Sequence, residues 1–372
     1  MEADSLLKYK IAMNIIPGIG CIIAKRIIAH TGGVDAIFHE KKKNLLKIPG
    51  IGKYLAYRIN TKQAIDKAEE EIEFLKKNKI DTLFYLDENF PERLRHCEDG
   101  PIVIFSRGKI NFNNQKVLSV IGTRSASPRG REICEKIISD LSENGHNLII
   151  VSGLAYGIDI TAHKSALKNS LDTIAVLAHG LDTIYPNLHR NIAKKICTNG
   201  ALVTEFLSKT KLERNNFIKR NRIIAGLADA SLIIESGEKG GAMITADIAN
   251  SYNREVFTIP GRINDTYSKG CNLLIKSNIA SLVEKAEDIE YLLQWNLPEK
   301  NKGISQSKLF PDLTIEEKQI IEILKEGPKS IDQISFKSRL QVSKLSSFLL
   351  NLEFSGNIKS LPGQIYSLSH ML

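Results

Sequence analysis

From Lys116 onward the chain repeats one pattern: a run of nearly continuous Val, Ile and Leu, a turn, and a segment of helix length. KVLSVIGTR is an apolar strand that meets a glycine turn, and an amphipathic helix is predicted over 128–144. NLIIVSGLAYGIDITAHKSAL gives a second strand, a glycine loop and a second helix, and LDTIAVLAHGLD gives a third strand. GALVTEF, ASLIIES and REVFTIPG give three more, each separated by a helix-sized segment. Strands without polar alternation are covered on both faces, and their alternation with helices indicates a parallel sheet. The predicted class is doubly wound α/β, Rossmann-like. Ahead of it, residues 81–110 read as a connector with one short strand over 102–105.

The flanks follow other patterns. IPGIGCIIAKRI, from Ile16, recurs 32 residues later as IPGIGKYLAYRI, with eight of twelve positions identical. Each copy is a G-x-G hairpin that opens a helix, and the first N–H groups of such a helix are left without partners, a geometry that suits phosphate. The pair resembles the helix-hairpin-helix motif of DNA-binding proteins and predicts a SAM-like helical domain. Gly18, Gly20, Gly50, Gly52 and Lys53 are then candidates for a secondary DNA contact; the plainer reading is a helical fold serving protein contacts. At the other end, residues 296–313 are polar, carry proline near each end and read as a linker. Beyond them come helix, Gly-Pro break, helix, a third helix with Leu345, Phe348, Leu349 and Leu352 on one face, and a short hairpin. That is the winged-helix pattern. The expected divisions are 1–80, 81–297, a linker over 298–312, and 313–372.

With 42% hydrophobic and 25% charged residues among 372, the composition is that of an ordinary globular chain of two or three domains. Five scattered cysteines without a C-x-x-C pair argue against a disulfide framework or a zinc site. The absence of a signal-peptide pattern or a long apolar run leads us to expect a cytoplasmic protein without membrane contact. The net charge of +9 divides into +5 over residues 1–78, +3 over 79–312 and +1 over 313–372, so any polyanion site must be local. One local excess lies in 209–222, with six Lys or Arg against Glu213. In FIKRNRIIAGLADASLIIES, Lys219, Arg220 and Arg222 are expected to precede a short helix over 223–228 that leads into the ASLIIES strand.

Ligands of open parallel sheets bind outside the carboxyl ends of the strands. Four glycine-bearing segments are expected on that rim: Gly122-Thr123-Arg124-Ser125; the loop from Ser152 and Gly153 to Asp159; His179-Gly180-Leu181-Asp182 with Tyr185-Pro186; and Lys239-Gly240-Gly241-Ala242 opening a helix. Arg124 can fork onto a phosphate. Neither a dinucleotide G-x-G-x-x-G nor a P-loop follows the first strand, and no nucleophile elbow is present. Asp159 and His163, four apart, fit a structural hydrogen bond or cap. The pattern predicts anion binding without catalytic residues, metal or cofactor.

VIGTRSASPRG, VSGLAYGIDITAHKSAL, GLDTIYP, FIKRNRIIAGLADASLIIES, GGAMITADIA, REVFTIPG and KGCNLLI are, in order, similar to the blocks of the DNA processing protein A (DprA/Smf) family. The resemblance implies a non-enzymatic, cytoplasmic binder of single-stranded DNA, usually a homodimer. Such a protein protects incoming DNA and loads RecA recombinase during natural transformation or recombination. It also implies a DNA site made of Gly122, Thr123, Arg124, Ser152, Gly153, Phe217, Lys219, Arg220, Asn221, Arg222, Gly240 and Gly241. The chain departs from the family pattern at Ile218 and Lys219, where proline is common. With 6% aromatic residues, stacking on Phe217 or Tyr156 must be sparse, and a core position is the plainer expectation for Phe217. The winged helix, with Lys344 as the main cation of its third helix, reads as an accessory or protein-contact module. The rival reading is a phosphoribohydrolase-like Rossmann enzyme. Against that enzyme's G-G-x-G-T-x-x-E loop, GGAMITAD lacks the second-half glycine and the glutamate, for which Glu235 or Asp247 would have to substitute.

Overall fold

Each predicted apolar run becomes a strand in the computed structural model, which describes residues 2–59, 62–113, 116–295, 313–355, 357–361 and 365–368. The linker expected at 298–312 lies outside the described residues. The chain divides into two units, Met1–Lys300 and Asn301–Leu372.

The first unit opens with helices α1 (Glu2–Ile15), α2 (Cys21–Thr31), α3 (Val34–His39), α4 (Lys42–Leu45), α5 (Lys53–Ile59) and α6 (Lys62–Lys77). Then come β1 (Asp81–Phe84), α7 (Glu92–Arg95), β2 (Val103–Lys109), β3 (Lys116–Ile121), α8 (Pro128–Glu143), β4 (Leu148–Ser152), α9 (Ile158–Lys168) and β5 (Asp172–Val176). They are followed by α10 (Arg190–Ile196), β6 (Gly200–Thr204), α11 (Arg214–Leu227), β7 (Ala230–Ile233), α12 (Gly241–Ser251), β8 (Glu255–Thr258), α13 (Lys269–Lys276), β9 (Ser281–Leu282) and α14 (Ala286–Leu292).

The strands form a nine-stranded sheet of order β1-β2-β6-β5-β4-β3-β7-β8-β9. From β6 to β9 all neighbours are parallel, as expected. At the other edge β2 pairs antiparallel with β6, and β1 with β2, so the sheet is mixed. The connector therefore holds two strands rather than one. Along β3, Val117 and Ile121 pack toward α11 and α12 on one face, while Leu118 and Val120 pack toward α8 and α9 on the other. This is the period-two alternation of a strand buried on both sides. Strand order reverses at β3, which has β4 on one side and β7 on the other. Connections leaving β3 and β7 part there and open a crevice above the strand ends.

The two hairpins take the turn that their glycines predict, with φ +88° at Gly18 and +89° at Gly50. Their helices share one core with the sheet edge, where Ile11, Ile27, Ile37 and Ile59 pack with Phe84, Ile102, Phe105 and Leu202. Polar ties reinforce the junction: Lys10 Nζ donates to Asp87 Oδ1 (2.7 Å), Lys25 Nζ to the Cys97 carbonyl (2.9 Å), and the Ser208 amide to Glu71 Oε1 (2.9 Å). Arg222 joins them, donating to the Asp99 carbonyl and pairing with Glu205, both side chains being largely buried.

The second unit is a three-helix winged fold: α15 (Ile315–Lys325), α16 (Ile331–Ser338) and α17 (Val342–Phe354), with β10 (Lys329–Ser330), β11 (Ile358–Leu361) and β12 (Ile365–Leu368) in the order β10-β12-β11. A reciprocal Thr314/Glu317 capping box starts α15. Leu345, Leu349 and Leu352 are buried and Phe348 partly so, the face read from the sequence. Among the described residues, no helix is long and apolar enough to cross a membrane.

Removing one partner of a buried ion pair strands the other charge, which costs about 3–5 kcal/mol. Arg222→Ala should therefore lower the unfolding free energy of the first unit, read from urea denaturation, by that order. Arg222→Met combined with Glu205→Gln should recover most of the loss, and equal losses in both variants would contradict the pairing.

Candidate functional site

The crevice at the switch point is a cleft of about 270 Å³ that brings together the turn after β3, the turn after β7 and one face of α11. Helix α11 begins at Arg214, so the basic cluster does not precede the helix but lies within it. Helical spacing then divides the cluster. Phe217, Arg220, Asn221 and Ile224 line the cleft. Lys219 and Arg222 are absent from the lining. Lys219 is exposed on the side of Glu205, and Arg222 is bound to Glu205 and Asp99. Neither therefore faces the cleft beside Arg124.

Arg220 also differs from expectation. It is 4% exposed, and its Nη1 donates to the carbonyls of Gly153 and Val176, at 2.6 Å each. Burial pushes its pKa down to about 10 against the opposing pull of Asp159. Asp159 is buried too, and burial raises its carboxyl above the usual range although Arg220 works the other way. Arg220 is thus an internal pin, not a cation offered to solvent. The pin explains Gly153, where a Cβ would lie 2.1 Å from Arg220 Nη1. Ser152 is likewise inward, fully buried and donating to the Val120 carbonyl at 2.7 Å.

The turn after β3 is held from both sides. The Thr123 amide donates to the Glu235 carbonyl (2.7 Å), and the Thr123 carbonyl accepts from the Ile158 amide (3.2 Å). Glu235 itself is buried, and its carboxylate accepts from the amide and hydroxyl of Ser127 at the start of α8. What remains presented to the cleft is Arg124. Its guanidinium carbon lies 5.3 Å from the Phe217 ring centroid, with Arg220 5.9 Å from the same ring. Phe217 is half-buried in the cleft wall rather than a core residue, and the Tyr185 ring meets it edge-on at 6.2 Å. Tyr156 instead packs on His189.

Opposite Arg124, Gly240 caps α12 without a side-chain bond, and Lys239, Gly240, Gly241 and Ala242 line the cleft. Asn221 Nδ2 fastens this turn by donating to the Gly241 carbonyl (3.3 Å). Uncapped N–H groups and the positive end of an 11-residue helix therefore face the same cleft as Arg124. Lys239 is exposed there; the sequence reading placed it in the loop without counting it as a binding residue. A second groove of about 800 Å³ continues outward past Tyr185, Leu212, Arg214, Ile218 and Ile244.

Of the third segment, His179 to Asp182 do not line this cleft, and only Tyr185 comes near it. Thr204 Oγ1 donates to the His179 carbonyl, and Leu181 and Asp182 line a separate cavity with Arg107 and Cys197. Gly20, Gly52 and Lys53 are exposed on the hairpins, outside the cleft. Among the described residues, no three His, Cys, Asp or Glu side chains form a metal cluster.

The family model for DNA recombination-mediator protein A matches residues 81–294, and that for the DprA winged helix domain matches 308–364. The chain belongs to the DprA family. It is 30% identical to Protein Smf of Synechocystis sp. over 98% of this chain and 99% of that protein. The crystal structure of DNA processing protein A from Streptococcus pneumoniae superposes with a TM-score of 0.66 at 30% identity, covering 76% of this chain and 97% of that one. DNA processing protein A from Helicobacter pylori, described for its unique single-stranded DNA binding mode, superposes at 0.52 and 28% identity over 58% and 96%. In this DprA chain every cleft-lining residue falls within the matched 81–294 segment.

Behind the cleft, His163 is fully buried, and its Nδ1 lies 2.7 Å from Thr173 Oγ1. That hydroxyl already donates to the Ile150 carbonyl, so His163 is the donor and Nε2 is left as a buried acceptor without a partner. Burial pushes its pKa down to about 3. The unfolded chain therefore binds the proton first as pH falls, and stability from neutral His163 declines below about pH 6.5 by about 1.4 kcal/mol per unit, or about 2 kcal/mol at pH 5. His163→Asn should flatten denaturation midpoints over pH 5–6.5, and an unchanged slope would refute this role.

Proposed function

We propose that this chain binds single-stranded DNA along the cleft at the switch point, without sequence choice and without chemistry on the strand. The observation that carries the reading is the convergence of Arg124, Lys239 and the uncapped start of α12 around the exposed side of Phe217. Non-specific single-strand binding needs a positive track for phosphates and a π-face for bases, and this cleft has both. The Helicobacter pylori relative, described by its single-stranded DNA binding mode, supports the same ligand. On this reading Gly122, Thr123, Asn221, Gly240 and Gly241 shape the site, while Ser152, Gly153 and Arg220 support it from within.

The wider role follows the family resemblance. The protein protects single strands and loads RecA recombinase onto them during natural transformation or recombination, acting as a cytoplasmic homodimer. The rival enzyme reading is disfavoured by Glu235, whose carboxylate is committed to the Ser127 cap, and by Asp247, which lines the outer groove instead of the cleft. Release of adenine from AMP by the pure protein would overturn the binding-only reading.

The affinity for oligo-dT should fall with log salt, with a slope of about 0.7 per phosphate neutralised. Arg124→Ala and Lys239→Ala should each weaken binding about tenfold and lower that slope by about 0.7. Phe217→Ala should cost about 1–3 kcal/mol with the slope unchanged. Lys219→Ala, outside the cleft, should bind as the parent does. Titrations of fluorescent oligo-dT at several salt concentrations read all four, and loss of affinity confined to Lys219→Ala would refute the site.

A further inference from the structure

The two hairpins have the same backbone but different surroundings. Helix α2 after the first is turned toward the sheet: Lys25 Nζ donates to the carbonyls of Cys97 and Glu98, and Cys21 lies against Arg222. Arg26 Nη1 donates to the Pro49 carbonyl, holding the base of the second hairpin. The cations of the first copy thus serve the fold.

The second hairpin is laid out otherwise. Residues 41–59 hold Lys41, Lys42, Lys43, Lys47, Lys53 and Arg58 and no acid. Glu40, just before them, is occupied in bonds to the Lys41 amide and Asn44 side chain. Helix α5 buries Ala56 and Ile59 and projects Tyr54 and Tyr57, each 64% exposed. Lys42 Nζ lies 4.6 Å from the Tyr57 ring centroid, and the Arg58 guanidinium carbon 4.6 Å from that of Tyr54. Two large aromatic side chains three residues apart on one helix, each with a cation over its ring, are not core residues. The buried side of α5 leaves no aliphatic face for lipid acyl chains. What it offers is π-faces amid a cluster of lysines, the chemistry that holds unpaired bases and their phosphates.

We infer that the second hairpin carries a separate binding face for single-stranded nucleic acid. Tyr54 and Tyr57 are its stacking platform, and the exposed Lys42 and Lys53 its phosphate contacts. None of these residues lines the cleft, so the inference stands or falls apart from the function proposed for it.

The test uses the full chain and oligo-dT, in the parent and in the Arg124→Ala/Lys239→Ala background. In that background, Tyr54→Ser with Tyr57→Ser should lower the remaining affinity tenfold or more with little change in salt slope. Phe at both positions should restore it. Lys42→Ala with Lys53→Ala should reduce the slope by about 1.4, the share of two phosphates. Ultraviolet cross-linking of the parent complex should place adducts on Tyr54 or Tyr57. Unchanged residual binding in the Tyr and Lys variants, or adducts confined to the cleft, would overturn the inference. So would binding of this face to anionic phospholipid vesicles but not to oligo-dT. If Arg124→Ala/Lys239→Ala binds as the parent does, the cleft reading fails, and the hairpin variants still decide this one in the parent chain.

Discussion

The cleft depends on one buried guanidinium. Arg220 reaches from α11 to the carbonyls of Gly153 and Val176 at the ends of β4 and β5, beside the buried carboxyl of Asp159. A charge in that position is tolerated only when its donors are satisfied and an opposite charge is near. The free carbonyls where parallel strands end supply the acceptors. This contact fixes the rotation and height of α11 over the sheet. Once α11 is fixed, Phe217 and Asn221 must face the switch point and Arg222 must face the hairpin helices. Gly153 is a consequence as well, since any side chain there would collide with the pin.

The basic residues of this region therefore divide by task. Arg220 and Arg222 are neutralised within the protein, the first by strand ends and Asp159, the second by Glu205 and Asp99. Arg124 and Lys239 are left exposed in the lining of the cleft, together with the positive end of α12. A cleft built this way attracts an anion through fixed groups, because the turns that carry them are already bonded to Glu235, Ile158 and Asn221. That rigidity reduces the ordering cost of binding.

The sheet was legible because strands buried on both faces are written as unbroken Val and Ile, and glycine marks the turns at their ends. Strand β2 runs beyond the apolar stretch over 102–105, because its outer half, Arg107 to Lys109, is polar and held by pairing with β6 rather than by burial. β1, four residues long, exists because the hairpin helices and β2 cover it, a tertiary cause invisible locally. In the site, the glycine turns after β3 and β7 place Arg124 and Gly240 in one cleft, as their sequence positions suggest. The cluster at 217–222 misled because the helix starts earlier than its apolar run suggests. Charge density alone does not tell which arginine points inward; helical spacing from Phe217 would have separated Arg220 from Lys219 and Arg222. Ser152 and the loop at His179 sit at strand ends as expected, but the Ser152 hydroxyl donates to the Val120 carbonyl and the His179 carbonyl accepts from the Thr204 hydroxyl, a choice that depends on neighbouring strands.

On the proposed function, a phosphodiester strand lies against the turns after β3 and β7. Amide hydrogen exchange of the full chain, with and without saturating oligo-dT, tests it most directly. The account predicts slowed exchange at Gly122 to Ser125 and at Gly240 to Met243, with the buried strands unchanged. Slowed exchange elsewhere in the protein, with both turns exchanging as in the free chain, would contradict it.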